Sequence, residues 1–284
     1  MAAELLGRGF ELPRVLRALR LAKSTYYYNL SHPKTDHYAD VRPLIHEIYR
    51  RTRNGMGYRQ VRLALIQEQG LAISRKTVWK LMREEGLFCR IRRKHYNSYK
   101  GEVGKMAENL LNRDFQADRP FQKLTTDVTE FALRDGKAYL SPVMDLCGNK
   151  IVSWSVKKNQ GMGLINEMLD GLFEQLPEGA EPLLHSDQGW QYQMGSYRNK
   201  LEKHGLKQSM SRKATCLDNA CMEGFFGHLK DELYWGQRFE SFEQFEQELD
   251  QYIYYWNTKR YQGTLGGLAP EEYQAQRLGV LEAA

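Results

Sequence analysis

The stretch KLTTDVTEFALRDGKAYLSPVMDLCGNKIVSWSVKK, Lys123 to Lys158, decides the fold class. KLTTDVTEFAL and AYLSPVMDL are β-rich runs that meet across Asp135–Gly136, a dipeptide suited to a tight hairpin. A second turn pair, Gly148–Asn149, precedes IVSWSVKK, where Val152, Trp154 and Val156 alternate with Ser153, Ser155 and Lys157. This pattern predicts three antiparallel strands. Asp127 falls inside the first of them, a position where aspartate is disfavoured unless something binds it.

Beyond these strands the pattern alternates. A helix is expected through GLINEMLDGLFEQL, a strand at EPLLHSD, a helix around SYRNKLEKHG and a short strand at LKQSMS. Two long helices are then predicted. In DNACMEGFFGHLKDELY, residues Met222, Phe225, Phe226, Leu229 and Leu233 form one stripe, with Asp218 or Asn219 placed as cap. In SFEQFEQELDQYIYYWNTKR, Ser241 and Gln244 read as a capping box, and Phe242, Phe245, Leu249, Tyr252, Ile253 and Trp256 as the buried face. Three strands followed by alternating helix and strand imply an α/β core.

Upstream the chain reads as all-helical. Leu12, Val15, Leu16 and Leu19 share a face, with Ser24 or Thr25 available to cap a following helix. A clearer helix-turn-helix follows in GYRQVRLALIQEQGLAISRKTVWKLMREEGL. Val61, Leu65 and Ile66 face inward, Gly70 breaks the helix, Ser74 caps the next, Val78, Leu81 and Met82 pack, and Gly86 stops it. The second helix would expose Arg75, Lys76, Lys80 and Arg83, as a helix lying in a DNA groove requires. The tract CRIRRKHYNSYKGEVGK, with Arg90, Arg92, Arg93, Lys94, Lys100 and Lys105 among Tyr96 and Tyr99, reads as a linker that tracks phosphates.

Charge divides the chain where the pattern does. Residues 1–105 hold 22 Lys and Arg against 9 Asp and Glu, and the remainder 19 against 26. A basic first part is the footprint of a nucleic-acid binder, and an acidic second part can spend its carboxylates on metal chemistry. Cys89, Cys147, Cys216 and Cys221 are scattered without a C-x-x-C pair, which argues against a disulfide framework and a zinc knuckle. Any metal should therefore be held by oxygen. No apolar run approaches the roughly 20 residues of a membrane span, and the N-terminus lacks the uninterrupted apolar core of a signal peptide. No membrane role is expected, and the cytoplasm is the expected compartment.

Three acids stand out from the pattern. Asp187 ends a hydrophobic strand in PLLHSDQGWQYQM, Asp127 lies in the strand TTDVTEF, and Glu223 lies beside the apolar stripe of the penultimate predicted helix. Between Asp187 and Glu223 stand 35 residues. Taken singly each acid has a bland reading: a turn residue, a hydrogen-bonded strand acid, a solvated helix acid. Glu130, Asp145, Asp218 and Glu232 are neighbouring alternatives of lower rank.

With that spacing, and with GYRQV, LMREEGL, RDFQADRPFQKLTTDVTEF, LHSDQGWQY, QSMSRKATCLDNACMEGFFGHLKDELY and YYWNTKRYQGTLGGLAPEEY in order, the chain resembles the DDE transposases of bacterial insertion sequences. The resemblance is to the OrfB product of the family whose OrfA and OrfB frames are joined by frameshifting, and it covers nearly the whole chain. It departs from the common pattern at Leu124, Ala214–Thr215, Gly224 and His228, none of which removes a carboxylate.

The resemblance implies an RNase H-like, retroviral integrase-like catalytic core with Asp127, Asp187 and Glu223 as catalytic and metal-binding residues. It also implies Lys230 as a DNA contact, being seven residues past Glu223 and so on the same helix face. The cofactor implied is Mg²⁺, with Mn²⁺ as substitute and two ions at the site. The partners implied are double-stranded DNA, both element terminal inverted repeats and target, a second copy of the chain at synapsis, and OrfA as partner or fusion. The chain then divides into a helix-turn-helix region at 1–88, a basic linker at 89–119 and a catalytic core at 120–284, working beside the nucleoid. The competing readings are a metal-dependent nuclease that cuts without joining, a non-catalytic DNA-binding regulator or decayed copy, and a helical scaffold without DNA affinity.

Overall fold

The computed structural model describes residues 2–32, 36–89, 107–212 and 216–282. Most of the basic tract, with Arg92, Arg93 and Lys94, lies outside the described residues. The chain forms two units, Met1–Leu44 and Ile45–Ala284.

The first unit contains α1 (Ala2–Gly7), α2 (Leu12–Ala18) and α3 (Lys23–Ser31), with Val15 and Leu16 buried. Ser24 and Thr25 do not cap α3. Arg20 turns the chain at φ 49° and Ala22 is already extended, so the helix starts ahead of both hydroxyls, without a side-chain cap.

Helix α4 (Val41–Tyr49) crosses into the second unit, where α5 (Tyr58–Gln69) and α6 (Arg75–Glu84) form the expected helix pair. Gly70 closes α5 at φ 66°, a conformation that suits glycine. The Thr77 N–H donates to Ser74 Oγ at 3.1 Å and so caps α6. Val61, Leu65, Val78, Leu81 and Met82 are buried as expected, whereas Ile66 is only partly covered. This helical part docks on the core through Asn54, which donates to the carbonyls of Asp231 (2.6 Å) and Trp235 (2.9 Å), and through the Arg53–Glu248 ion pair at 2.8 Å.

The core sheet contains β1 (Lys123–Thr126), β2 (Thr129–Leu133), β3 (Gly136–Asp145), β4 (Lys150–Lys157), β5 (Leu183–Ser186) and β6 (Lys207–Met210). β3 pairs antiparallel with β4 on one side and with β1 and β2 on the other, and β1, β5 and β6 run parallel. The first expected strand is therefore two. β1 and β2 keep one register on β3, and Asp127 falls at the break, opposite Pro142, which has no N–H to give a ladder. Asp127 ends a strand, as Asp187 does, and is not interior to one.

Helices cover both faces, as an RNase H-like core requires. One face packs Phe131, Leu140, Met144 and Ile151 against Met222, Phe225, Leu229, Phe245, Leu249 and Trp256. These residues come from α10 (Ala220–Leu229) and α11 (Phe242–Thr258), preceded in the chain by α7 (Met162–Phe173), α8 (Trp190–Gln193) and α9 (Gly195–Lys203). The other face packs Leu124, Val143, Val152 and Leu184 against Met168, Leu172, Tyr192, Tyr197 and Leu201.

Three details differ from the sequence reading. The predicted helix through Tyr234 is α10 followed by a π-helical turn, Lys230–Tyr234. In that turn Glu232 accepts from Arg260 Nε and from the Tyr252 hydroxyl, both at 3.0 Å. Ser241 caps α11 as expected, but Gln244 reaches the Glu240 N–H rather than that of Ser241, so the capping box closes one residue early. A further helix, α12 (Pro270–Glu282), follows the two expected to be last.

Candidate active site

The parallel register sets Lys123 beside Leu183 and Thr125 beside His185. Two residues further on, each strand has ended and Asp127 stands beside Asp187. Neighbouring strands lie about 5 Å apart, so two carboxylates meet at one edge of the sheet. The site lies at the carboxyl ends of parallel strands, where open α/β sheets leave a crevice.

Each aspartate is fixed by a backbone N–H. Val128 N donates to Asp127 Oδ1 at 2.7 Å, and Gly189 N to Asp187 Oδ1 at 2.8 Å. The glycine gives both side chains room, since a Cβ at position 189 would stand 2.9 Å from Asp187 Oδ1 and 2.8 Å from Gln191 Nε2 and would make them shift. Burial holds the Asp127 carboxyl well above the usual carboxylate range, and the charges of Asp187 and Glu223 push it further the same way. The Val128 N–H and Lys230 oppose that shift. Asp187 and Glu223 are also raised by burial. Among the described residues no Arg, Lys or His forms an ion pair with Asp187 or Glu223.

Lys230 Nζ donates to Thr129 Oγ1 at 2.6 Å and lies over the Phe131 ring at 5.4 Å. It thus reaches back towards Asp127 from the end of the helix that carries Glu223. Below the aspartates the Tyr192 hydroxyl and Thr126 Oγ1 are buried. Asp127 and Asp187 add to burial in raising the Tyr192 phenol far above its ordinary range. His185, two residues before Asp187, bridges Ser209 (2.8 Å) and Ser211 (3.1 Å), and burial pushes it down to about 4, so it is a neutral brace between β5 and β6.

The lower-ranked acids are all engaged elsewhere. Glu130 pairs with Lys137 at 2.9 Å, and Glu232 with Arg260 at 2.7 Å. Asp145 accepts from Phe121 N, Cys147 N and Gln274 Nε2 at 2.8–3.0 Å. Asp218, expected as a cap for α10, instead receives Arg212, Arg113 and Asn109. Asn219, the other expected cap, makes no cap bond and turns to β1. The sequence signal for capping was sound in kind, but two arginines that converge on the buried Asp218, and an adjacent strand, outcompete the helix N–H groups.

The donor chemistry at the aspartate pair fits a hard divalent cation: two carboxylates, each with one oxygen taken by a backbone N–H. Among the described residues no group of three His, Cys, Asp or Glu is gathered closely enough to hold a metal. The fit is thus to the two aspartates, with Glu223 near enough to act on Asp127 through its charge.

The second cluster singled out in the sequence lies on α6. Arg75, Lys76, Lys80 and Arg83 are all exposed. Trp79, 45% exposed, shares their face, with Arg83 5.0 Å from its ring; being uncharged, it gives no signal in the pattern of cations. Arg92, Arg93 and Lys94 lie outside the described residues.

Comparison with known proteins finds matches along most of the chain. Residues 117–216 and 223–278 match families described as Integrase core domain, and residues 37–95 match one described as HTH-like domain. The putative transposase InsK for insertion sequence element IS150 of Escherichia coli (strain K12) is 47% identical over 268 residues, covering 94% of each chain. An uncharacterized transposase-like protein of Haemophilus influenzae is 49% identical over 208 residues, covering 73% of this chain and 96% of the relative. Transposase InsF for insertion sequence IS3A of Escherichia coli (strain K12) is 34% identical over 215 residues, 75% of each.

Proposed function

The chain belongs to the transposases of bacterial insertion sequences, with an integrase core and an HTH-like domain, and from that premise we propose that Asp127, Asp187 and Glu223 carry its strand cleavage and strand transfer. It is a DNA transposase, a polynucleotidyl transferase, and its relatives favour that activity over a simple nuclease or a non-catalytic binder. The observation that supports the residue assignment best is the pairing of Asp127 and Asp187 at the ends of adjacent parallel strands, with burial raising both carboxyls.

Asp127 and Asp187 would hold Mg²⁺, or Mn²⁺ in its place, and Glu223 would complete the ligands of a second ion. Such ions, when bound, acidify the attacking oxygen and offset charge on the leaving one. The chain's own groups do the positioning. Val128 N and Gly189 N hold each carboxylate by one oxygen and would leave the other for a metal. Lys230 places a positive charge at the same edge, where a DNA phosphate next to the reacting one can use it. Neither transesterification nor hydrolysis needs a nucleotide cofactor, because the phosphodiester supplies its own bond energy.

In this reading residues 1–88 bind DNA, with Arg75, Lys76, Lys80 and Arg83 on the contact face of α6. Arg92, Arg93 and Lys94 of the 89–119 linker track the backbone, and residues 120–284 catalyse. Synapsis of two element ends calls for a second copy, and an OrfA product, as fusion or partner, would complete end recognition. Among the described residues no helix is long and apolar enough to cross a membrane, and we place the chain in the cytoplasm beside the nucleoid.

The test is a cleavage and joining assay on DNA carrying the element's ends, with Mg²⁺ or Mn²⁺. Asp127→Ala and Glu223→Gln should each lower both products by about 10³-fold or more, with salt-dependent DNA binding retained. Undiminished products from either variant would defeat the assignment.

A further inference from the structure

We propose that Asn219 is a positioning residue: it fastens the start of the Glu223 helix to the strand that ends at Asp127, and so sets the separation of those two acids. The inference rests on the assignment of Asp127 and Glu223 above and adds a residue to it.

Three observations converge. First, Asn219 stands at the N-cap position of α10, where an asparagine side chain ordinarily accepts a helix N–H. It makes no such bond. Second, its amide is used across the fold. Oδ1 accepts from the Thr125 hydroxyl, and Nδ2 donates to the Thr126 carbonyl at 3.3 Å. Thr126 immediately precedes Asp127, and Glu223 lies in the first turn of the helix that Asn219 opens. One side chain therefore ties together two backbone points that lie one and four residues from the two acids. Third, the tie is dry and firmly backed. Asn219 is 5% exposed and Thr125 1%, so water competes poorly for either bond. The preceding residue, Asp218, is buried and receives the Arg212 N–H (3.0 Å), Arg212 Nε (3.1 Å), Arg113 Nε (2.8 Å) and Asn109 Nδ2 (2.9 Å).

Asp218 and Asn219 divide the work. Asp218 ties the segment entering α10 to the end of β6 and to the 109–113 segment, whereas Asn219 reaches β1 itself. No other side-chain hydrogen bond from the first turn of α10 to β1 is made among the described residues. Losing the Asn219 tie leaves the helix packed by Met222, Phe225 and Phe226 but free to shift at the end that carries Glu223.

The experiment compares Asn219→Ala, Thr125→Val and Thr125→Ser with the parent and with Glu223→Gln in the full chain. It reads the Mg²⁺ concentration for half-maximal end cleavage, Mn²⁺ affinity from loss of the free-ion paramagnetic resonance signal, and the melting temperature. Asn219→Ala and Thr125→Val should raise the half-saturating Mg²⁺ and weaken Mn²⁺ binding by about 10-fold to 100-fold, the range for lost outer-shell partners. Thr125→Ser, which keeps the hydroxyl, should stay within about twofold of the parent on the same basis. Lower melting temperatures with an unchanged metal requirement in Asn219→Ala and Thr125→Val would show a structural role only and overturn the inference. Full metal-dependent cleavage by Glu223→Gln would overturn the catalytic assignment, and this inference with it.

Discussion

Asp187 and Asp218 are both acids of the catalytic core, 31 residues apart in sequence, and the fold treats them oppositely. Around Asp218 it gathers two arginines, an asparagine amide and a backbone N–H, and Arg212 foremost holds its carboxyl below the usual range. Around Asp187 it gives one backbone N–H, and burial pushes the carboxyl up. A charge surrounded by donors is part of the framework. An uncompensated one costs stability, and a fold retains it when something outside the protein supplies the missing positive charge.

The largest expected effect tests that contrast at its sharpest point. Asp187→Asn should lower end cleavage by about 10³-fold or more while raising the melting temperature measured without divalent metal, because it removes a buried charge that no ion pair offsets among the described residues. Asp218→Ala should do the reverse in kind. Removing its hydrogen bonds to charged donors should destabilise the chain by about 3 kcal/mol, read by urea denaturation, with cleavage falling only as the folded fraction falls. If Asp187→Asn destabilises as much as Asp218→Ala, the contrast fails.

A pH series sharpens it with a third acid. Asp145 is buried, and burial pushes its carboxyl from 3.8 to about 6 despite three hydrogen bonds. A folded-state value above the unfolded one means that the native chain binds the extra proton, so its contribution is full below pH 3.8 and is lost as pH rises to about 6. Asp218, shifted downward, contributes above its unfolded value and loses that contribution as pH falls through its folded one. Urea midpoints followed from pH 4 to 7 should therefore fall with rising pH in the parent and lose that component in Asp145→Asn. An identical slope in both chains would refute the Asp145 reading.

Smaller effects are expected on the two helices to which the proposal gives a role. Gly224 and Gly227 leave open space where a Cβ would stand, so Gly224→Ala should stabilise α10 by about 0.5–1 kcal/mol, read from the urea midpoint. On α6, Lys80→Ala should flatten the logarithmic salt dependence of DNA binding by about one unit if that lysine neutralises a phosphate. A binding titration at several salt concentrations would show an unchanged slope if it does not.

The sheet was legible in the sequence because its turns carry their own chemistry. Asp135–Gly136 and Gly148–Asn149 mark both hairpins, and apolar alternation supplies the strands between them. The break at Asp127 was not legible from that strand alone, since Pro142, which stands opposite it, lies on the neighbouring strand and is identified only once the register is known. The Ser74 cap was readable because Ser74 and Thr77 lie within one turn. Asp218 and Asn219 were misread as caps because their true partners, Arg113 and Thr125, are about a hundred residues away in sequence. The candidate acids could be chosen by spacing and resemblance, whereas the upward shift that separates them from Asp218 exists only in the folded chain.

The central claim is that the buried aspartate pair, with both carboxyls raised by burial, is the metal-binding centre. A crystal of the chain soaked in Mn²⁺ and measured for anomalous scattering tests it most directly. The account predicts a peak contacted by carboxylate oxygens of both Asp127 and Asp187, with Glu223 on the same side of the sheet. A peak held by Asp145, Asp218 or Glu232 instead, with the pair bare at saturating Mn²⁺, would contradict it.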